Sequence, residues 1–171
     1  MITEPIKHED GTTCPKCGGF GLVVGETRAE RCDCGAYEEI QYRQACENAR
    51  ITNRNINKKL ETFMVGRNDP VRREIKSVAQ SFANTFTPDE PKGLMLRGGV
   101  GSGKTHIAVG ILKRVLFRGC SGHFCNVTDF LQRLKNSYNV GGGSFGRRVD
   151  DVEQEREILE EMQAADLLVL D

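Results

Sequence analysis

Gly98-Gly99-Val100-Gly101-Ser102-Gly103-Lys104-Thr105 decides the fold of this chain. It satisfies the phosphate-loop pattern G-x-x-x-x-G-K-[ST] at every fixed position. Upstream, Gly93-Leu94-Met95-Leu96-Arg97 is a short apolar run that reads as a buried strand. Downstream, Ile107, Ile111, Leu112, Val115 and Leu116 recur at helical spacing, so a helix opens at Thr105. Strand, glycine loop and helix is the order that phosphate binding needs. Glycines let backbone N–H groups close around phosphate oxygens without Cβ clashes, and the helix N-terminus adds unpaired donors and partial positive charge. Lys104 is placed to reach the β- and γ-phosphates of a nucleotide, and the Thr105 hydroxyl to ligate Mg²⁺.

The same logic leads to the far end. Asp166-Leu167-Leu168-Val169-Leu170-Asp171 is an apolar run closed by an acid. It predicts a buried parallel strand that delivers the Asp171 carboxylate to the sheet edge where the phosphate loop lies. Asp171 is thus the Walker B candidate, holding Mg²⁺ opposite Thr105, and Lys104 and Asp171 are the candidate catalytic residues.

Between these ends, Ser121 to Val127 reads as another strand, and Thr128 as the N-cap of a helix through Tyr138 that carries Phe130, Leu131 and Leu134 on one face. Gly141 to Arg148 reads as a glycine-rich, locally basic loop, and Asp150 to Ala164 as an acidic helix with a solvated outer face. Before the loop, Ile75, Val78, Ala79 and Phe82 mark a helix over 71–82. His106 and His123 have no partners at ligand spacing and read as ordinary positions.

The N-terminal part is different in kind. Cys14, Cys17, Cys32 and Cys34 form a C-x₂-C and a C-x-C pair on either side of a hairpin: Phe20 to Val24, a turn near Gly25-Glu26, and a return strand. The hairpin would bring four thiolates together as a closed tetrahedral Zn²⁺ site, structural rather than catalytic. So short a segment buries little core, and the metal would supply its folding energy. A polar helix follows from Ala36 to about Ala49, then a basic linker with Arg50, Arg54, Lys58 and Lys59. The expected division is a zinc-binding extension over 1–50 and a nucleotide-binding part over 51–171.

Composition sets the outer limits. The 171 residues carry 24 basic and 24 acidic side chains, net +0, so no global basic field advertises nucleic acid. No apolar run is long enough to span a membrane, and the N-terminus lacks a signal-peptide layout. With seven cysteines, this points to a reducing cytoplasm and to metal rather than disulfides.

Leu94 to Ala108, with its Lys104-Thr105-His106-Ile107-Ala108 continuation, resembles the phosphate loop of DnaC/DnaI-type helicase loaders and IstB-type transposition helper ATPases, which are bacterial and phage AAA+ proteins. Residues 122–131 and 167–171 are similar too, and Cys14-Pro15-Lys16-Cys17 with Cys32-Asp33-Cys34 resembles the zinc-binding extension of some loaders. The resemblance implies an α/β P-loop NTPase fold of AAA+ type, a parallel sheet flanked by helices. It implies that ATP, with Mg²⁺, is used to load or remodel a replicative DNA helicase on single-stranded DNA, within a self-associating assembly. Gly98, Gly99, Val100, Gly101, Ser102, Gly103, Lys104 and Thr105 would bind the phosphates. In the family a second acid, a sensor strand, an arginine finger and a helical lid follow the position of Asp171. The sequence therefore resembles a member incomplete at its C-terminus, with nucleotide binding weak and turnover near zero.

Other readings stay open: an IstB-like transposition helper, a P-loop small-molecule kinase, or a zinc-dependent binding module with an inert ATPase part. If DNA is bound, Arg147 and Arg148 are the expected phosphate contacts. Sheet order separates two of these readings. In the AAA+ order the strand at 167–171 pairs with 122–127 and stands two spacings, roughly 9.5 Å, from 93–97. A kinase-type sheet would pair 167–171 directly with 93–97. The AAA+ arrangement would leave Leu94 and Leu96 exposed and the chain poorly soluble.

Overall fold

The computed structural model describes residues 4–8, 10–25, 28–90, 92–139, 156 and 159–171. The glycine-rich stretch 141–148 with Arg147 and Arg148, and the acidic run from Asp150 to Glu155, lie outside the described residues. The chain divides into two compact units, Met1–Asn48 and Ala49–Asp171.

In the first unit, β1 (Leu22–Val24) and β2 (Ala29–Arg31) form the expected antiparallel hairpin, with Leu22 opposite Arg31. The Gly25 N–H closes it onto Arg28 O at 3.0 Å. Helix α1 (Ala36–Asn48) is polar on nearly all sides and buries only Ala36 and Cys46. Such a helix gains little from packing of its own.

The second unit is built around two helices and a parallel strand pair. Helix α2 (Pro70–Thr85) starts where Asp69 accepts a hydrogen bond from the Arg72 N–H at 2.9 Å, and Pro70 pre-sets the first turn. Helix α3 (Lys104–Phe117) is the centre of the unit: Ile107, Val109, Ile111, Leu112, Val115 and Leu116 are all buried, covering more than one face. Its Ile107, Ile111 and Val115 pack with Ala79, Ala83, Phe86, Leu60 and Phe63 in one core. Each large side chain buried there contributes about 1.5–3 kcal/mol relative to exposure.

Strands β3 (Gly122–Cys125) and β4 (Leu167–Leu170) pair in parallel, Gly122 opposite Leu167 and Cys125 opposite Leu170. The pairing runs one step further: the Asp171 N–H donates to Cys125 O at 3.0 Å, and the Val127 N–H to Asp171 O at 2.9 Å. Helix α4 (Val127–Asn139) follows β3, and residues 159–164 form a helical turn before β4.

Three sequence expectations change. Strand β3 ends at Cys125, so Asn126 rather than Thr128 caps α4, its Oδ1 accepting from the Asp129 N–H at 3.1 Å. Strand β4 is half-buried in alternation, with Leu168 and Leu170 outward, rather than buried throughout. Residues 93–97 form no strand, and among the described residues no backbone hydrogen bond pairs them with another strand. Leu94 and Met95 are exposed, and only Leu96 packs onto the core. An apolar run signals a preference for burial, but a ladder also needs a neighbouring strand to bond. A groove of about 680 Å³ lies between Leu94–Leu96 and β4, lined further by Phe82, Phe86 and Ile111. The strand closing at Leu170 therefore pairs with β3, as the AAA+ order expects, and the direct pairing with the run before the glycine loop that a kinase-type sheet would make is absent among the described residues.

Candidate functional site

The glycine loop enters α3 at Gly103, whose φ of 96° is left-handed and whose missing Cβ makes room for Phe63: a Cβ there would stand 2.7 Å from Phe63 Cε2. Gly103 offers no side chain to cap the helix, so the first-turn N–H groups receive no cap from it. Lys104 folds over the loop, its Nζ donating to Gly98 O at 3.0 Å and Gly99 O at 2.9 Å. Ser102 N–H bonds back to Gly99 O at 3.3 Å, which tightens the loop beneath that ammonium. Val100, at the loop tip, is fully exposed.

Thr105 and Asp171 meet at the other side. The Thr105 hydroxyl donates to the Asp171 carboxylate, 2.8 Å to Oδ1 and 3.0 Å to Oδ2. Both backbone groups of Asp171 are engaged at the end of the β3–β4 ladder, so the carboxylate is carried by the sheet rather than by a loose tail. Lys104 and Asp171 both line the groove that runs along β4. A hydroxyl, a carboxylate, an ammonium and a glycine-rich backbone therefore converge at one end of the strands. These are the donor types that hold a nucleotide's phosphates with Mg²⁺.

The cysteines of the first unit also converge. The sulfur atoms of Cys14, Cys17, Cys32 and Cys34 all lie within 4.8 Å of one another, with Cys14–Cys32 at 3.7 Å and Cys17–Cys34 at 3.5 Å. A tetrahedral zinc with bonds of about 2.3 Å requires sulfurs about 3.8 Å apart, so the set fits that ion. Their titration shows the same demand. The N–H groups of Cys17 and Lys16 hold the Cys14 thiol below its usual range. Burial alone would raise Cys17, but the Gly21 N–H, 3.3 Å from its sulfur, and the adjacent thiols bring it down to about 6. At Cys34 the Ala36 N–H favours the thiolate, yet burial and the neighbouring thiols push it up to about 12. Four thiols in one small volume cannot all ionise unless a cation joins them.

One part of the second unit was not legible as functional in the sequence. The entry segment over 56–63 is tied to α2 and α3 through its carbonyls. Lys113 Nζ bonds Ile56 O, His106 Nε2 bonds Lys59 O at 2.8 Å, and Lys76 Nζ bonds Glu61 O at 3.2 Å and Phe63 O at 3.1 Å. The segment also lies so close to α3 that a Cβ on Gly110 would stand 2.8 Å from Leu60 N. The only sequence signals were a lone His after the loop and lysines on helix faces, neither of which names a carbonyl partner. His123, read as ordinary, is buried within 3.8 Å of Glu161, which Arg50 pairs at 2.7 Å.

The sequence model of the family described as IstB-like ATP binding protein matches residues 38–170. A solved structure described as the DnaC helicase loader is similar over 70% of this chain and 60% of that one, with 28% sequence identity and a TM-score of 0.53. This chain thus spans less than two thirds of that protein's length. No curated protein matches the sequence. No helix among the described residues is long and apolar enough to cross a membrane. The fold is accordingly an α/β P-loop fold of the DnaC type, and, with the family match extending over most of its length, the chain belongs to the IstB-like ATP binding proteins.

Proposed function

We propose that this protein is an ATP-binding factor of the helicase-loader type, which uses ATP to load or remodel a replicative DNA helicase on single-stranded DNA. The observation that carries the nucleotide part is the Thr105–Asp171 contact beside the Lys104-covered glycine loop. Residues 98–105 would hold the phosphates, Lys104 the β/γ charge, and Thr105 with Asp171 the Mg²⁺. The ion, when bound, neutralises charge on the phosphate oxygens. This chain's residues orient that complex: the β3–β4 ladder fixes Asp171, and α3 fixes Thr105 one residue after Lys104.

Residues 1–50 are proposed as the zinc-binding extension and 51–171 as the ATPase part. Cys14, Cys17, Cys32 and Cys34 would hold one structural Zn²⁺, and the cluster geometry supports this. The loader reading is supported by 28% identity to a protein described as a helicase loader, together with the zinc cluster. The match to the IstB-like family, together with the resemblance of the phosphate loop to IstB-type transposition helpers, supports a transposition helper as the second reading. Co-purification separates them. The full chain with MgATP, but not its Lys104→Ala variant, should retain a replicative DNA helicase in the first case and a transposase in the second. Retention of neither would refute both.

A further inference from the structure

Besides the buried Leu60 and Phe63 and the Arg114–Glu61 pair, the entry segment is held at four main-chain carbonyls, and those fasteners fix the path of the chain. Of these fasteners, only His106 stands next to the phosphate loop, one residue after Thr105. Because a carbonyl can only accept, His106 Nε2 carries the proton it shares with Lys59 O at 2.8 Å, with Thr62 Oγ1 3.2 Å away. The imidazole edge also meets the Phe63 ring, centroids 5.5 Å apart at 71°. Phe63 in turn occupies the space left by the missing Cβ of Gly103. The loop's last glycine and the first turn of α3 are thus joined to residues 59–63 by one hydrogen-bonded ring and one packed ring. A shift of that first turn moves the imidazole, and the imidazole carries Lys59 O and Phe63 with it.

We propose that His106 is a positioning residue that couples the phosphate loop to the segment 59–63, so that a nucleotide triphosphate seated on the loop tightens that segment. The proposal rests on the ATP-binding reading of the loop. It assigns a purpose to the Thr105-His106 pair that phosphate binding alone does not require.

The test is backbone hydrogen exchange on the whole chain with MgATP, with AMP as the control lacking β- and γ-phosphates. In the wild type, MgATP and not AMP should slow exchange at 99–105 and, about fivefold, at 59–63, the ratio expected for strengthening one net hydrogen bond. His106→Leu should keep the protection at 99–105 and lose it at 59–63. His106→Gln, whose amide can again donate to Lys59 O, should restore it. His106→Asn is the reserve if the leucine variant does not fold; its amide is too short to reach Lys59 O, so it should behave like leucine. Protection at 59–63 surviving in either short-reach variant would overturn the coupling while leaving the ATP reading intact. Absence of protection at 99–105 in the wild type would overturn both.

Discussion

Thr105 donates its hydroxyl proton to both oxygens of the Asp171 carboxylate, at 2.8 and 3.0 Å, across a sequence separation of 66 residues. The contact exists because a parallel pair, β3 with β4, ends beside the first turn of α3. Thr105→Val should cost only about 0.5–1.5 kcal/mol of stability, since one net hydrogen bond is lost at a half-exposed position. Its larger effect is on metal dependence: Mg²⁺ should no longer tighten ATP binding. Titration of ATP with and without Mg²⁺ checks this, and a preserved Mg²⁺ effect would remove Thr105 from the metal site.

Much of this was visible from local spacing. The glycine loop, the four cysteines and the Asp171 run are defined by neighbours a few residues apart, and each appears where the spacing put it. What was not visible depended on partners far along the chain. Residues 93–97 look like a strand because their run is apolar, yet among the described residues no strand pairs with them. Asn126 caps α4 because the β3–β4 register ends the strand at Cys125. The entry segment is held through carbonyls, which every residue has, so no residue type announces it.

The close approach of Gly110 to Leu60 makes a direct packing prediction. Gly110→Ala places a methyl 2.8 Å from the Leu60 backbone nitrogen inside the core. Overpacking of this kind costs about 1–3 kcal/mol, despite alanine's better helix propensity. Denaturant unfolding should show the loss, and a neutral or stabilising result would mean that the segment is not pinned to α3.

Metal removal should act on the first unit alone. Cys14, Cys17 and Cys32 form the buried cluster beneath the hairpin, with Cys34 packed against it, so zinc should supply most of its folding energy, on the order of 10–16 kcal/mol apparent. The purified chain should carry one zinc. Chelation, or Cys17→Ser, should abolish amide protection at Leu22–Val24 while leaving α3 protected. Zinc-free protein with an intact hairpin would contradict the assignment.

Acid should loosen the Arg50–Glu161–His123 contact. Burial holds His123 below its usual range, so the folded state resists its protonation and stability falls as pH drops through about 6.5, the unfolded value. The Arg50 hydrogen bond holds Glu161 low, so its contribution is present above the unfolded carboxylate value and is lost as pH falls through the lower folded one. Both changes have the same sign. Melting temperature should decline between pH 7 and 5, and His123→Gln should flatten that first part of the decline. A melting temperature that rises on acidification would contradict the assignment.

The groove between Leu94–Leu96 and β4 leaves apolar side chains open to solvent, beside an edge of β4 that pairs with no strand among the described residues. The chain should bind an apolar dye and associate with rising concentration. Leu94→Lys, which charges the exposed side of the groove, should reduce both. Light scattering that does not change with concentration would argue against the groove as the cause.

The central claim is that residues 98–105 with Asp171 form a magnesium-dependent ATP site. The most direct measurement is calorimetric titration of MgATP into the full chain and into Lys104→Ala. Saturable one-to-one binding by the wild type, lost or weakened at least about tenfold in the variant, is the predicted result. Equal binding by both proteins, or none by the folded wild type, would contradict it.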